Sequence, residues 1–224
     1  MSYTNGLDNP ELYFQTKLYS GSGGNSHAIT FDGSENMQPD WVWIKARNSN
    51  SHRLTDSVRG ATKILYSDLN FAEVTDADTI QSFDTDGFTI DDDADTNGSG
   101  INFASWNWKA GGSASSNSDG SITSTVSANT TAGFSIVSYT GNGSAGATIG
   151  HGLGAVPQVY ILKNRSSSAG WTSYFEPLGN TKFLQLNTTG AAGTATEAFN
   201  NTSPTSSVFS IEQILLLITI LIIL

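Results

Sequence analysis

One nine-residue stretch decides the organisation of this chain: PDWVWIKAR at residues 39–47 returns in altered form as PQVYILKNR at residues 157–165. Further pairs of residues at nearly the same separation lie on both sides of these stretches: Phe14 and Phe134, Tyr19 and Tyr139, Ile29 and Ile149, Lys63 and Lys182, and Phe88 and Phe209. Similarity that recurs at one spacing indicates a structural module written twice.

Small residues join the two copies. Residues 110–120 read AGGSASSNSDG, a composition typical of a flexible linker. We therefore predict a first module at residues 1–110, a Gly/Ser-rich linker at 111–120 and a second module at 121–224.

The segments with a structural signal are short and extended. In each of them β-branched and aromatic residues alternate with others, and Gly, Asn, Asp or Ser stands at the ends. The clearest are Tyr13–Tyr19, Trp41–Ala46, Phe103–Lys109, Gly133–Tyr139 and Gln158–Lys163. Since no helical pattern of useful length interrupts them, the sequence predicts an all-β chain of two tandem antiparallel β-sandwich modules, jelly-roll-like in character.

The end of the second module departs from the first. In the first module, INFASWNWK at residues 101–109 has the pattern of a closing strand, whereas an apolar run from Ile214 to Leu224 ends the second. We therefore expect a truncated second module with an aberrant apolar tail from about residue 212. That run is shorter than the roughly 18 apolar residues that span a bilayer. Three alternatives remain for it: an out-of-frame end, a substitute final strand buried in the module, or a membrane anchor.

Composition excludes several classes of function. The chain has 20 acidic and 10 basic side chains, a formal charge of −10 and no cysteine. Without cysteine there is no disulfide, thiolate nucleophile or Cys-ligated metal. Ten scattered basic residues do not form the positive surface that nucleic acid requires, and an anionic membrane surface is not expected either. The first ten residues lack the basic and apolar regions of a secretory signal peptide.

Two pairs of tryptophans are candidate ligand-binding residues. The members of each pair stand two residues apart, so they share one face of a strand: Trp41 with Trp43, and Trp106 with Trp108. Exposed indoles would stack on sugar rings, whereas buried indoles would form the core. The second module has Val159 and Ile161 in place of Trp41 and Trp43, and this substitution favours core packing.

An acidic loop offers the one candidate metal site. Asp93, Asp95, Asn97 and Gly98 fit positions 1, 3, 5 and 6 of a calcium-binding loop. Ala104 stands at position 12, where such loops carry a bidentate Glu. The pattern therefore favours a solvated hairpin tip, with calcium as a possible cofactor, and no other cofactor is predicted.

Basic residues recur across the repeat, as Lys45 and Lys163, Arg47 and Arg165, and Lys63 and Lys182. They could bind an acidic glycan or a neighbouring subunit, but ion pairs with Asp40, Asp56 or Glu176 are the favoured interpretation. The three histidines, at 27, 52 and 151, lie in turn-like contexts without the spacing of metal ligands. We therefore predict that the chain is not an enzyme.

Several blocks of the sequence resemble a known group of proteins. They are YFQTKLY at 13–19, PDWVWIK at 39–45, DSVRGATK at 56–63, SWNWKAG at 105–111, YTGNG at 139–143 and TIGHGLGAVP at 148–157. These blocks resemble repeated modules in tail-fibre-like virion proteins of marine tailed bacteriophages, and the resemblance covers residues 13–211.

The resemblance implies a function and a location. It implies a non-enzymatic structural protein of the virion, a segment of a tail fibre or appendage that takes part in host attachment. Such a protein would be made in the host cytoplasm without a signal peptide, and it would contact copies of itself and other virion proteins. The alternative is a carbohydrate-binding module that recognises a host surface glycan. Because the family comes with no established ligand, no binding residue carries over.

Overall fold

The computed structural model describes residues 9–48 and 50–212 and the backbone of residues 217–223. Their regular structure is almost entirely β, in antiparallel sheets, so the predicted all-β fold class is confirmed. The chain divides into two compact units. Unit 1 comprises the described residues within 1–67 and 73–112, and unit 2 those within 68–72 and 113–224.

Within the described residues, helical structure is confined to single turns. These are the α-helical turn α1 at Ala94–Asn97 and 3₁₀ turns at Pro10–Leu12 and Glu176–Leu178. Among the described residues, no helix has the length and apolar character needed to cross a membrane.

Unit 1 contains nine strands. They are β1 (Phe14–Ser20), β2 (His27–Ile29), β3 (Trp41–Ala46), β4 (Arg53–Asp56), β5 (Lys63–Ile64), β6 (Val74–Thr75), β7 (Ile80–Asp84), β8 (Gly87–Ile90) and β9 (Asn102–Trp108). One sheet has the order β1-β9-β3-β4, a second has the order β2-β8-β7, and β5 pairs with β6. All of these pairings are antiparallel.

The core of unit 1 lies between its two larger sheets. Val42 and Ile44 of β3 pack with Phe103 of β9 from one sheet, and Phe88 and Ile90 of β8 come from the other. All five are fully buried, and burial of each such side chain contributes roughly 1.5–3 kcal/mol to folding. Since successive strand residues point to opposite faces, Trp41 and Trp43 project from the other face of β3.

Unit 2 contains ten strands within the described residues. They are β10 (Ser115–Asn117), β11 (Ser124–Asn129), β12 (Phe134–Thr140), β13 (Ala147–Gly150), β14 (Val159–Asn164), β15 (Thr172–Phe175), β16 (Lys182–Gln185), β17 (Gly193–Thr194), β18 (Val208–Ile211) and β19 (Leu217–Ile223). Eight of them form one sheet in the order β10-β11-β12-β19-β14-β15-β16-β17, and β13 pairs with β18.

Aromatic rings fill the core of unit 2. Tyr160 of β14 stacks on Tyr174 of β15 with ring centroids 4.7 Å apart, and Phe199 and Phe209 meet Tyr160 at 5.3 and 5.1 Å. Burial raises the pKa of the Tyr160 hydroxyl, so this phenol stays neutral. The core therefore combines residues of the eight-stranded sheet with Phe209 of the two-stranded one.

Strand register shows that the two units share one plan. Trp108 of β9 lies opposite both Phe14 and Trp41, and Ile223 of β19 lies opposite both Phe134 and Val159. The tail backbone at 217–223 thus fills, between β12 and β14, the position that β9 fills between β1 and β3. Of the three alternatives for the tail, this pairing corresponds to a substitute final strand, while its side chains lie outside the described residues.

Candidate functional site

Three of the predicted tryptophans meet on the outer face of the unit 1 sheet. Trp43 of β3 lies opposite Trp106 of β9 in the strand register, and their ring centroids are 6.2 Å apart in an edge-to-face arrangement. Trp108 follows on the same face of β9, two residues further on. Edge-to-face pairs of this kind are worth about 0.5–1.5 kcal/mol beyond their buried area.

Together with His52, these indoles line an open cavity of about 190 Å³. We call the cavity and its four lining residues, Trp43, His52, Trp106 and Trp108, the tryptophan pocket. Trp106 is 37% exposed, so a ligand can reach it from solvent. Pockets for drug-sized molecules measure about 300–1,000 Å³, and the tryptophan pocket therefore suits a single small ring.

His52 holds one wall of the pocket in place. It directly precedes β4, and its Nδ1 accepts a hydrogen bond of 2.8 Å from the indole Nε1–H of Trp43. Because an indole nitrogen can only donate, Nδ1 carries no proton, and the neutral imidazole has its proton on Nε2. The hydrogen bond fixes the orientation of the Trp43 ring.

A second aromatic contact supports the opposite wall. Phe14 of β1 lies opposite Trp108 in the strand register, and the two ring centroids are 4.8 Å apart. Each half-buried indole of the pocket therefore has a fixed neighbour, while Trp106 is the most exposed of the three. The pocket is therefore preformed in the absence of a ligand.

Trp41, the fourth predicted tryptophan, takes no part in the lining. It is 1% exposed and lies opposite Asp56 and Trp108 in the sheet. Its indole N–H has no hydrogen-bond partner within the described part of the chain. The structure thus separates the four candidates into one buried residue and three that surround a cavity.

The corresponding face of unit 2 carries no tryptophan. Val159 and Ile161 of β14 hold the positions of Trp41 and Trp43, and the strand register places Leu221 and Ile223 where β9 has Trp106 and Trp108. The tryptophan pocket is therefore a feature of unit 1.

The candidate calcium ligands have other partners. Asp93 caps α1 by accepting a 2.8 Å hydrogen bond from the N–H of Asp95, and Asp95 forms an ion pair with Arg53. The buried Asn97 accepts from the N–H of Ser22 at 2.8 Å and donates to the carbonyl of Asp91 at 2.7 Å. Across the residues that the structure describes, no group of three or more acidic or histidine side chains is arranged to hold a metal.

Burial affects one of these carboxyl groups. Desolvation raises the pKa of Asp93, and the neighbouring charge of Arg53 opposes that rise. Asp93 and Asp95 thus make their contacts within the loop and with Arg53.

The repeated lysines Lys45 and Lys163 bind backbone carbonyls. The ammonium group of Lys45 donates to the carbonyls of Ala46 and Asn50, the latter at 3.0 Å. That of Lys163 donates to the carbonyls of Asn164, Ala169 and Asn70 at 2.8, 3.0 and 3.4 Å. Burial lowers the pKa of Lys163 to about 8. Both lysines therefore organise the loop that follows their strand.

Two of the three carboxylates considered as partners of the repeated basic residues, Asp40 and Asp56, are engaged elsewhere. Asp56 forms a fully buried ion pair with Arg59, whose guanidinium also reaches Glu73 at 3.1 Å. Asp40 accepts hydrogen bonds from the backbone of Ala110 and from the hydroxyl of Ser57 at 2.9 and 2.7 Å. These contacts hold the framework of unit 1 together.

The three histidines lie in three different settings. His27 belongs to β2 and its Nδ1 lies 2.9 Å from Oδ1 of Asn97, whereas His52 lines the tryptophan pocket. His151 is buried; its Nε2 lies 3.2 Å from the carbonyl of Thr205, and its Nδ1 accepts from the N–H of Leu153. Desolvation lowers the pKa of His151. Each imidazole has its own local partner.

Sequence reasoning missed His52 as a pocket residue. A signal was available, because in the antiparallel pairing of β3 and β4 Leu54 lies opposite Trp43, and His52 stands two residues before Leu54 on the same face. That register is visible only once the connection between the strands is known.

One comparison with known proteins identifies a family. Residues 9–216 match the family described as a domain of unknown function (DUF7483), and the chain belongs to that family. The match extends over both units. Neither a curated protein nor a solved structure matches the chain.

Proposed function

We propose that this chain is a non-enzymatic attachment protein whose unit 1 binds carbohydrate in the tryptophan pocket. The observation that carries the proposal is the meeting of Trp43, Trp106 and Trp108 around one cavity at the protein surface. Exposed apolar clusters on a protein surface are often sites of interaction with a ligand or another protein.

Sugar rings suit such a pocket for a physical reason. A pyranose ring carries polarised C–H groups on one face, and the face of an indole ring is electron-rich. The contact removes apolar surface of both partners from water at about 25 cal/mol per Å². A pocket with several indoles at fixed angles can hold the ring without reorganisation, which reduces the entropic cost of binding.

A titration tests the proposal directly. Soluble bacterial surface polysaccharides are added to the intact chain while the intrinsic tryptophan fluorescence is recorded, and we expect a saturable change. In the double variant Trp43→Ile/Trp106→Leu, which carries the residue types of unit 2 at these positions, the change is lost.

The matched control is Leu186→Ala, which removes an exposed apolar side chain from unit 2. This variant should respond as the unaltered chain does. An intact chain that responds to no polysaccharide overturns the proposal, and so does a double variant that keeps the full response.

A second candidate is a structural role in a virion appendage. It is favoured by the presence of two copies of one β plan in a single chain, together with the resemblance to tail-fibre-like modules. Such a protein would form homo-oligomers and contact other virion proteins, with the tryptophan pocket serving host attachment. Light scattering of the purified chain should then give a multiple of 23.7 kDa, whereas a monomer at micromolar concentration argues against this role.

A further inference from the structure

Among the described residues, the lining of the tryptophan pocket contains no charged side chain. Its walls are the rings of Trp43, Trp106 and Trp108, and its one ionisable side chain is the imidazole of His52. Since Nδ1 of His52 accepts from Trp43, this imidazole is neutral. The pocket thus offers aromatic surface and uncharged polar groups, with no formal charge among its lining residues.

The basic residue next to the pocket is already engaged. Lys45 is the next residue of β3 on the face of Trp43, but its ammonium group donates to the carbonyls of Ala46 and Asn50. A ligand carboxylate would have to compete with these carbonyls for the charge. Lys45 is therefore not placed as a counter-ion for an acidic ligand.

A carboxylate in this pocket would meet an unfavourable environment. Moving an ionised carboxyl group from water against aromatic surface is unfavourable unless a cation pairs with it. The net charge of −10 adds repulsion at long range. A hydroxymethyl group at the same position of the ring carries neither cost.

We infer that the tryptophan pocket takes an uncharged pyranose through its C–H face and discriminates against the corresponding uronic acid. This inference rests on the proposed function, because it names the class of sugar that the same site accepts. The lack of a charged side chain in the lining would then select between sugars, in addition to the stacking on the aromatic rings.

The test compares sugars that differ only at C6. Methyl β-glucopyranoside and methyl β-galactopyranoside are each titrated into the intact chain by calorimetry, next to their C6-carboxylate counterparts, at neutral pH. For each pair of which at least one sugar binds, we expect the neutral sugar to bind at least tenfold more tightly than its C6-carboxylate counterpart. Equal affinity, or tighter binding of the acid, overturns the inference and leaves the proposed function standing.

A charge variant sharpens the test. Thr16 is exposed on β1, directly opposite Trp106, so Thr16→Lys places a cation beside the pocket without disturbing the core. We expect the preference for the neutral sugar to shrink to about twofold, whereas the isosteric control Thr16→Val keeps it. An unchanged preference in Thr16→Lys contradicts the inference, while binding of neither sugar by the intact chain contradicts the proposed function itself.

Discussion

Units 1 and 2 arrange their strands alike but close their main sheets with different residues. The core-facing positions of β3 and β14 are apolar in both units, with Val42 and Ile44 in one and Tyr160 and Leu162 in the other. The opposite face has Trp43 in unit 1 and Ile161 in unit 2. The comparison shows that inward positions stay apolar in both units, while an outward position can change between an aromatic and an aliphatic residue within the same strand plan.

The units also differ in how they stabilise the turn that follows β4 in unit 1 and β15 in unit 2. Unit 1 has a buried cluster of Asp56, Arg59 and Glu73. Strand pairing places Phe175 of unit 2 where unit 1 has Asp56. The same alignment places Leu178 at the position of Arg59 and Ala192 at that of Glu73. The same plan therefore folds with ions or with apolar residues at these positions, as expected when a buried ion pair contributes little beyond its own desolvation cost.

Breaking the ion cluster should have the largest effect. Arg59→Met leaves Asp56 buried without its partner, which costs about 3–5 kcal/mol. Urea denaturation followed by tryptophan fluorescence measures this loss in unit 1, because Trp171 is the one tryptophan of unit 2.

The triple variant Asp56→Phe/Arg59→Leu/Glu73→Ala introduces the residues of unit 2. It should recover most of the stability that Arg59→Met loses. A single variant as stable as the parent chain would show that the cluster does not matter for unit 1.

A buried histidine should make unit 2 sensitive to acid. His151 corresponds to the buried Phe31 of unit 1, and desolvation lowers the pKa of its imidazole below the usual value. As the pH falls below about 6.5, the unfolded chain binds a proton that the folded chain does not bind, so unit 2 loses up to about 1.4 kcal/mol per pH unit. Calorimetric melting at pH 7.5 and 5.5 measures the loss.

The variant His151→Phe supplies the residue of unit 1 at this position. It removes the titrating group, and we expect the acid-induced decrease of the unit 2 transition to shrink. Equal decreases in the parent and the variant would assign the acid sensitivity to other groups.

The hydrogen bond between His52 and Trp43 should have a smaller effect. His52→Ala removes the acceptor, and we expect sugar affinity to fall about five- to tenfold, in line with a hydrogen bond worth about 1 kcal/mol. His52→Gln offers an amide oxygen to the same indole N–H and should restore part of the affinity. Identical affinities in both variants would mean that the hydrogen bond does not position Trp43.

Calcium should have no effect on stability. Asp93 and Asp95 are engaged with α1 and Arg53. We therefore expect the same melting temperature in millimolar calcium as in the presence of a chelator. A ligand that binds the folded state raises the melting temperature. A calcium-dependent rise that disappears in Asp95→Asn would establish a site in this loop.

The sequence predicts much of the fold because alternation is strong where strands face a core. The predicted strand Trp41–Ala46 has the observed bounds of β3, and Phe103–Lys109 differs from β9 by one residue at each end. The strand β11 (Ser124–Asn129) was not predicted, because its small polar residues give little contrast between its two faces. Local pattern finds strands with apolar inner faces and misses the polar ones.

The site was less accessible from the sequence than the fold. Spacing showed that each pair of tryptophans shares a face, but it could not distinguish the buried Trp41 from the exposed Trp106. That difference depends on which strands lie next to β3 and β9, and such neighbours come from distant parts of the chain. For the same reason, pairing of the apolar tail between β12 and β14 was one of three alternatives until the sheet order was known.

The most direct test of the account records the five indole N–H signals of the ¹⁵N-labelled chain while a neutral pyranoside is added. We expect the signals of Trp43, Trp106 and Trp108 to shift together and to saturate. Trp171, whose Nε1–H donates to the carbonyl of Leu69 within unit 2, serves as an internal reference and should not move. Shifts confined to Trp171, or no shift with any neutral or acidic sugar, would contradict the claim that unit 1 binds carbohydrate in the tryptophan pocket.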